Sequence, residues 1–351
     1  MSERRGEIQW LRAVAALEVV AVHSDLATKH IARASILQGW YPTVGGIGVE
    51  VFFVVSGFIM CMVASRAPSA GSFMLGRIRR IIPLCVLFTS LAALIHYTSA
   101  QYLISPTDIT LGTLIRSYLA LPQWQFPILG PTWTLEHEMI FYEIVAATLL
   151  LGALTRARKL ALAALVVALG GLGCWLGPRP EVSVWTFHVA SPYMLAFGFG
   201  WLLRCCEEGS GGGRVAIAAA CLAATSVAVV VGNAWSDHLV LRIGIATLLC
   251  AIVLLGRRVL SADCALNRLA WRLGDASFSL YLTHWFILSA SGKLAGVAAI
   301  PEDLSLLVRL GAILIAVAVG VIAYRVIEVP IEQFLRGGLP GRKPLPQMAR
   351  P

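Results

Sequence analysis

The sequence predicts an all-α polytopic membrane protein of about ten transmembrane helices, with both termini cytoplasmic. Three observations predict it. Hydrophobic residues make up 58% of the 351 and charged ones only 13%, for a mean hydropathy of +0.78. A soluble chain of this length needs far more charge to cover its surface. Apolar stretches of about the 20 residues that cross a bilayer recur, near 8–27, 46–64, 81–99, 135–153, 160–177, 186–203, 215–232, 240–256, 275–292 and 304–324. With the N-terminus cytoplasmic, 20 of the 28 Lys and Arg fall in inside segments, 5 in outside ones and 3 within or at the edge of spans. That asymmetry, alternating at every loop, is the positive-inside rule. The net charge of +9 therefore belongs to topology, and nucleic acid is excluded as a partner because no single basic patch forms.

Taken in order, the first stretch, WLRAVAALEVVAVHSD, reads as a spanning helix rather than a cleaved signal. Arg12 and His23 interrupt its apolar run, and no small-residue cleavage site follows. The second, FFVVSGFIM, offers Ser56 and Gly57 as small residues for close helix packing. The third is entered through GRIRRIIP, which puts Arg77, Arg79 and Arg80 at its inner mouth. Residues 100–134 form the longest outer connection. Their apolar part, ITLGTLIRSYLALP with Arg116, is about 14 residues, too short to span, and reads as an interfacial or re-entrant roof. The fourth stretch opens with PTWTLEHEMIFY, the ninth carries SFSLYLTHW and the tenth ends in IEVP. Trp40, Trp124, Trp133, Trp185, Trp235 and Trp285 near span ends read as interfacial anchors, and the run Gly209–Gly213 as a flexible inner hinge. Residues 1–334 are expected to be a single transmembrane domain and 335–351 a disordered cytoplasmic tail. The eight cysteines are scattered with no C-x-x-C pair, so neither a disulfide framework nor a metal site is expected. No internal repeat is visible.

Topology gives each polar residue a depth. Arg12 and His23 are 11 residues apart. At 100° per residue they return to within about 20° of one helix face, roughly 16 Å apart along the axis. A charge in hydrocarbon is costly and usually kept for function. Glu136, His137 and Glu138 enter the fourth span level with His23, His284 lies somewhat past mid-depth in the ninth, and Glu328 sits at the inner end of the tenth. The chain thus offers inner cations and an outer group of imidazole and carboxylate. A carboxylate bonded to one imidazole nitrogen raises basicity at the other, which equips the pair to take a proton from a hydroxyl. Guanidinium forks at the inner mouth suit a phosphorylated donor arriving from the cytosol. Plainer readings stand beside these. Arg77, Arg79 and Arg80 also read as headgroup anchors, Arg79 most of all, Glu136 or Glu138 as a partly solvated span end, and His284 as a structural hydrogen-bonder. His137 reads as exposed to the outer water. Glu18 either pairs with an inner cation or lines the cavity.

Six motifs in order then carry a resemblance. They are Arg12-x10-His23, FFVVSGF from Phe52 to Phe58, Arg77-x-x-Arg80-x-x-Pro83, Trp133-Thr-Leu-x-x-Glu138-x-x-Phe141-Tyr142, SFSLYLTH ending at His284, and Glu328-x-Pro330. Over residues 8–334 the chain resembles acyltransferase family 3, the bacterial membrane O-acyltransferases that modify polysaccharides. Where many members have two adjacent acids in the fourth motif, this chain has Glu136 and Glu138 separated by His137, similar to the subgroup that acetylates exopolysaccharide. Members that carry an extra hydrolase-like domain are larger, so no such domain is expected within these 351 residues.

The resemblance implies transfer of an acetyl or other short acyl group from cytosolic acyl-CoA to a sugar hydroxyl. The acceptor is a lipid-linked or nascent glycan at the bacterial inner membrane, among membrane lipids and a polysaccharide-synthesis complex. In this reading His23 is the general base or first accepts the acyl group. Glu138, with Glu136 as second choice, orients it. Arg12 binds the donor or polarises its carbonyl, and Arg77 and Arg80 hold coenzyme A phosphates. Ser56, Trp133, Tyr142, His284 and Glu328 support the site, and no metal takes part. The alternative from another class is a proton-coupled transporter or flippase for a glycan or small anion.

Overall fold

The computed structural model describes residues 5–31, 46–98, 108–176, 183–208, 239–255, 257–260 and 262–337. The apolar stretch 215–232, the run Gly209–Gly213 and the tail beyond residue 337 lie outside them. The regular elements of the described residues are helical. They are α1 (Gly6–His23), α2 (Ile47–Ala64), α3 (Ala70–Thr98), α4 (Leu111–Leu119), α5 (Trp133–Leu150), α6 (Arg156–Leu176), α7 (Val184–Val189), α8 (Tyr193–Glu207), α9 (Leu239–Leu255), α10 (Arg257–Leu260), α11 (Ala265–Asp275), α12 (Ser277–Val297), α13 (Ser305–Ala323) and α14 (Val329–Leu335).

Five helical stretches among the described residues are long and apolar enough to cross a membrane: Ile47–Ala64, Ala70–Tyr97, Arg156–Leu176, Val184–Glu207 and Glu302–Leu335. The expected count was about ten. Helices α1, α5 and α12 have 18, 18 and 21 residues, long enough to span, but they carry the ionisable and hydroxyl side chains of the motifs. Function dilutes their apolar character. Leu87, Leu91 and Leu94 on α3, and Leu306, Leu310 and Leu314 on α13, are exposed. Their helical spacing makes two outward apolar stripes of the kind lipid solvates.

Three local features position the site. Helix α3 runs for 29 residues and starts eleven residues before the expected span. Ser69 and Ser72 exchange side-chain to backbone hydrogen bonds at 3.1 Å, a reciprocal cap that begins the helix early. The GRIRRIIP motif is therefore helical rather than a loop at the mouth. Arg77 and Arg80, three apart, share the inward face, while Arg79 is exposed. At the other end of the chain, α13 passes into one π-helical turn, Tyr324–Glu328, before Pro330. Proline cannot donate a backbone bond, and the wider turn absorbs the misfit. It carries Glu328 inward, 2% exposed. Third, α2 crosses α8 in close contact. A Cβ on Gly57 would lie 2.1 Å from the Phe197 carbonyl oxygen, and one on Gly200 would lie 1.8 Å from that of Val54. Only glycine permits this approach. Phe197 then stacks on Phe141 of α5 at 4.4 Å between centroids, tying the crossing to the helix of the fourth motif.

The connection read as a roof contains α4, nine residues long and too short to span. Ser117 is buried, its carbonyl accepting from Cys85 Sγ at 3.2 Å, and Tyr118 meets Ser90 of α3 at 2.8 Å.

Candidate active site

Helices α1, α2, α3, α5 and α12 line a cavity of about 120 Å³. Arg12, Arg77 and Arg80 line it from α1 and α3, and Ser56, Glu138 and Tyr142 from α2 and α5. Arg12 comes from α1 and donates through Nε to Ser277 Oγ, 3.2 Å away at the first residue of α12. Arg80 pairs with Glu332 at 3.0 Å. Arg77 is 8% exposed, and its buried Nε has no partner among the described residues. A buried guanidinium donor left without an acceptor is costly, so it marks a place where an anionic or carbonyl oxygen would be stabilised. The walls carry three guanidinium groups against one carboxylate.

That carboxylate is Glu138. It accepts from Ser56 Oγ at 2.9 Å and from the Tyr142 hydroxyl. Thr134, Glu138 and Tyr142 are four apart and form one stripe of α5 facing the cavity. Glu136, two positions from Glu138, is turned about 200° away. It is 2% exposed and lies between Gln123 Nε2 and His188 Nε2, each at 2.9 Å. The expectation that either acid could share the task is thus corrected: the helix puts them on opposite faces, and Glu136 is not among the residues lining this cavity. His137 is corrected too. It is 3% exposed rather than facing water, with its ring 4.7 Å from that of His188 and 5.6 Å from that of Trp133. Trp133 also lies 5.2 Å from Tyr193. It packs this cluster instead of serving only as an interfacial anchor.

His23, at the end of α1, meets His284 of α12, with Nδ1 and Nε2 3.0 Å apart. The two rings lie nearly parallel, 20° apart with centroids at 5.1 Å, and Trp285 stands edge-on to His23 at 5.1 Å. The carboxylate expected beside His23 is replaced by this second imidazole; Glu138 is bonded elsewhere. His23 is not in the cavity wall. Tyr281 stands between, lining the cavity while its ring lies 5.9 Å from that of His284. Its hydroxyl bonds Pro131 O at 2.5 Å and Thr134 Oγ1 at 2.8 Å.

The two remaining acids are structural in their contacts. Glu328 accepts from Ser279 Oγ at 2.6 Å on the buried side of α12. Glu18 neither pairs with an inner cation nor lines the cavity. It accepts from the backbone N–H groups of Gly46 and Gly48, a carboxylate at the positive end of the α2 dipole. Sequence reasoning missed Tyr281, Thr134, Ser277, Gln123 and His188. Tyr281 sits three residues before His284, and Thr134 four before Glu138, so helical spacing from the motif residues was the signal that could have found them.

The model of the acyltransferase domain of acyltransferase family 3 matches residues 5–325. The chain belongs to acyltransferase family 3. It is a membrane acyltransferase, which decides against the transporter reading. Among relatives of this family 3 protein, the exopolysaccharide production protein ExoZ of Rhizobium meliloti (strain 1021) is 28% identical over 316 residues, 85% of this chain and 93% of the relative. The acyltransferase MdmB of Streptomyces mycarofaciens is 29% identical over 141 residues, 38% of this chain and 36% of that one.

Proposed function

We propose that this acyltransferase moves an acetyl or other short acyl group from cytosolic acyl-CoA to a hydroxyl of a cell-surface polysaccharide or its lipid-linked precursor, in the bacterial inner membrane. The observation that carries the reading is the convergence of Arg12, Arg77 and Arg80 on one cavity that holds Glu138. Arg77 and Arg80 bind coenzyme A phosphates, for which the guanidinium fork is suited. Arg12, held by Ser277, binds the donor beside Arg77 and Arg80 as a third fixed cation. His23 takes the proton of the acceptor hydroxyl or first accepts the acyl group. Glu138 keeps Ser56 and Tyr142 in place at the acyl end of the cavity. Trp133, Glu136, His284 and Glu328 hold the helices that carry these groups.

Donor and acceptor approach from opposite faces and meet near Tyr281. That arrangement follows a chain of about ten spans with both termini cytoplasmic, in which the lysine and arginine asymmetry sets the orientation. The similarity to a relative named for exopolysaccharide production supports a glycan acceptor and a setting among polysaccharide-synthesis partners. The chemistry needs no metal.

The test is acyl transfer by purified protein in lipid vesicles, with labelled acetyl-CoA and glycan acceptors. His23→Ala is expected to lower kcat by about 10²–10⁴-fold, the usual worth of a positioned base. Arg12→Ala should raise KM for acyl-CoA by about tenfold or more, as expected for the loss of one charged contact to the donor. Near-normal turnover of folded His23→Ala rejects its role. Mass spectrometry of the surface glycan from a deletion strain identifies the group transferred and the sugar that carries it.

A further inference from the structure

The contact between His23 and His284 contains more than proximity. His284 is fully buried, and its Nδ1 lies 3.2 Å from the Leu280 carbonyl oxygen one helical turn earlier. A carbonyl only accepts, so Nδ1 of His284 carries the proton. In a neutral imidazole the other nitrogen then has a lone pair and can only accept. That nitrogen, Nε2, is the one 3.0 Å from His23 Nδ1. His23 must therefore donate from Nδ1, which leaves its own Nε2 without a proton. Among the described residues His23 Nε2 has no hydrogen-bond partner. Trp285, edge-on to the His23 ring, and the hydrogen bond to the nearly coplanar His284 ring hold the imidazole against rotation.

We infer that His284 is a positioning residue that fixes His23 as the Nδ1–H tautomer, so that Nε2 is the nitrogen which takes the acceptor's proton. The catalytic consequence rests on the reading of His23 as the base in acyl transfer; the tautomer does not. The step balances. The hydroxyl O–H breaks as Nε2–H forms, and the oxygen's electron pair bonds the acyl carbon. The carbon–sulfur bond breaks, and the coenzyme A sulfur leaves with its pair and takes the proton back from Nε2. While His23 is the imidazolium, its Nδ1–H still donates to His284, so the charge forms beside an acceptor already in place. Free histidine in water prefers the opposite tautomer, with the proton on Nε2. A backbone carbonyl of α12, acting through one buried ring, reverses that preference. Here an imidazole does what a carboxylate does in other proton-transfer sites, without adding a negative charge to the apolar interior.

The experiment uses full-length protein in lipid vesicles, labelled with nitrogen-15 in the histidine rings. Imidazole spectra are recorded for the wild type, His284→Phe and His284→Gln, with His23→Ala to assign the resonance. In the wild type His23 is expected as Nδ1–H. His284→Phe fills the space without an acceptor, so the population should move towards Nε2–H, and kcat should fall by about 10²-fold with KM changed less than about threefold. His284→Gln offers an amide oxygen near the place of Nε2 and should recover at least about tenfold of that loss. A wild-type His23 carrying its proton on Nε2 overturns the inference whatever the turnover. So does a His23 tautomer unchanged in both variants. Normal transfer by His23→Ala would sink the function proposed for His23 while the tautomer is still read from the spectrum, so the two failures are distinguishable.

Discussion

Glu136 and Glu138 look interchangeable in a string of letters and are opposites in space. One faces the cavity with Ser56 and Tyr142; the other is packed against Gln123 and His188. Their variants should separate accordingly. Glu138→Gln keeps the shape but changes the bonds to Ser56 and Tyr142, and should lower kcat about tenfold or more with little change in melting temperature. Glu136→Leu leaves His188 and Gln123 facing an apolar group and should cost about 2–4 kcal/mol of stability, read as a lower melting temperature in detergent. Adding His188→Leu should recover part of that loss, because replacing both partners of a buried polar pair costs less than orphaning one. The 200° turn between positions two apart was available from the sequence once a helix was assumed. The identity of the partners was not, since His188 is 52 residues away.

At the scale of elements, the motif residues divide into those that line the cavity and those that hold helices together. Gly57 belongs to the FFVVSGF motif for packing, as its small size suggested; a Cβ there would strike the Phe197 backbone. Gly57→Leu should abolish the folded, monodisperse protein, whereas Ser56→Ala, one residue earlier, should leave it folded and alter turnover only. Size-exclusion chromatography checks the first and the transfer assay the second. Pro330 acts one level removed. It requires the π turn that carries Glu328 to Ser279. Pro330→Ala permits a regular helix, shifts Glu328 by a fraction of a turn and should reduce both stability and turnover severalfold. Arg77 and Arg80 were read as a mouth because the polar run before residue 81 hides a helix start. The reciprocal Ser69–Ser72 cap explains why the helix begins there, and with it the arginines become part of a wall.

For the molecule as a whole, Tyr281 separates the cavity from the imidazole pair. Arg12 and Glu138 lie on the cavity side of Tyr281 and His23 beyond it. Tyr281→Phe removes the bonds to Thr134 and Pro131 while keeping the ring; KM for the glycan should change more than kcat. Tyr281→Trp fills space where donor and acceptor are proposed to meet and should favour the shortest acyl donors, measured as the ratio of acetyl to longer-chain transfer. Reporter fusions at both ends of the chain, which test the proposed topology, should register as cytoplasmic.

Composition, the spacing of apolar stretches and the distribution of arginine were enough to establish a helical membrane protein, because hydrocarbon imposes its demands on each segment separately. Motif order was enough to indicate the family, and Arg12 was legible because a charge in an apolar helix is conspicuous. The partners of His23, Glu136, Glu138 and Glu18 were settled only when the helices packed. Each of those contacts joins residues 30 or more positions apart or depends on which face of a helix looks inward, and neither property is written in local periodicity. The imidazole at His284 rather than a carboxylate beside His23 is the clearest case: both residue types were present at suitable depth, and helix rotation chose between them.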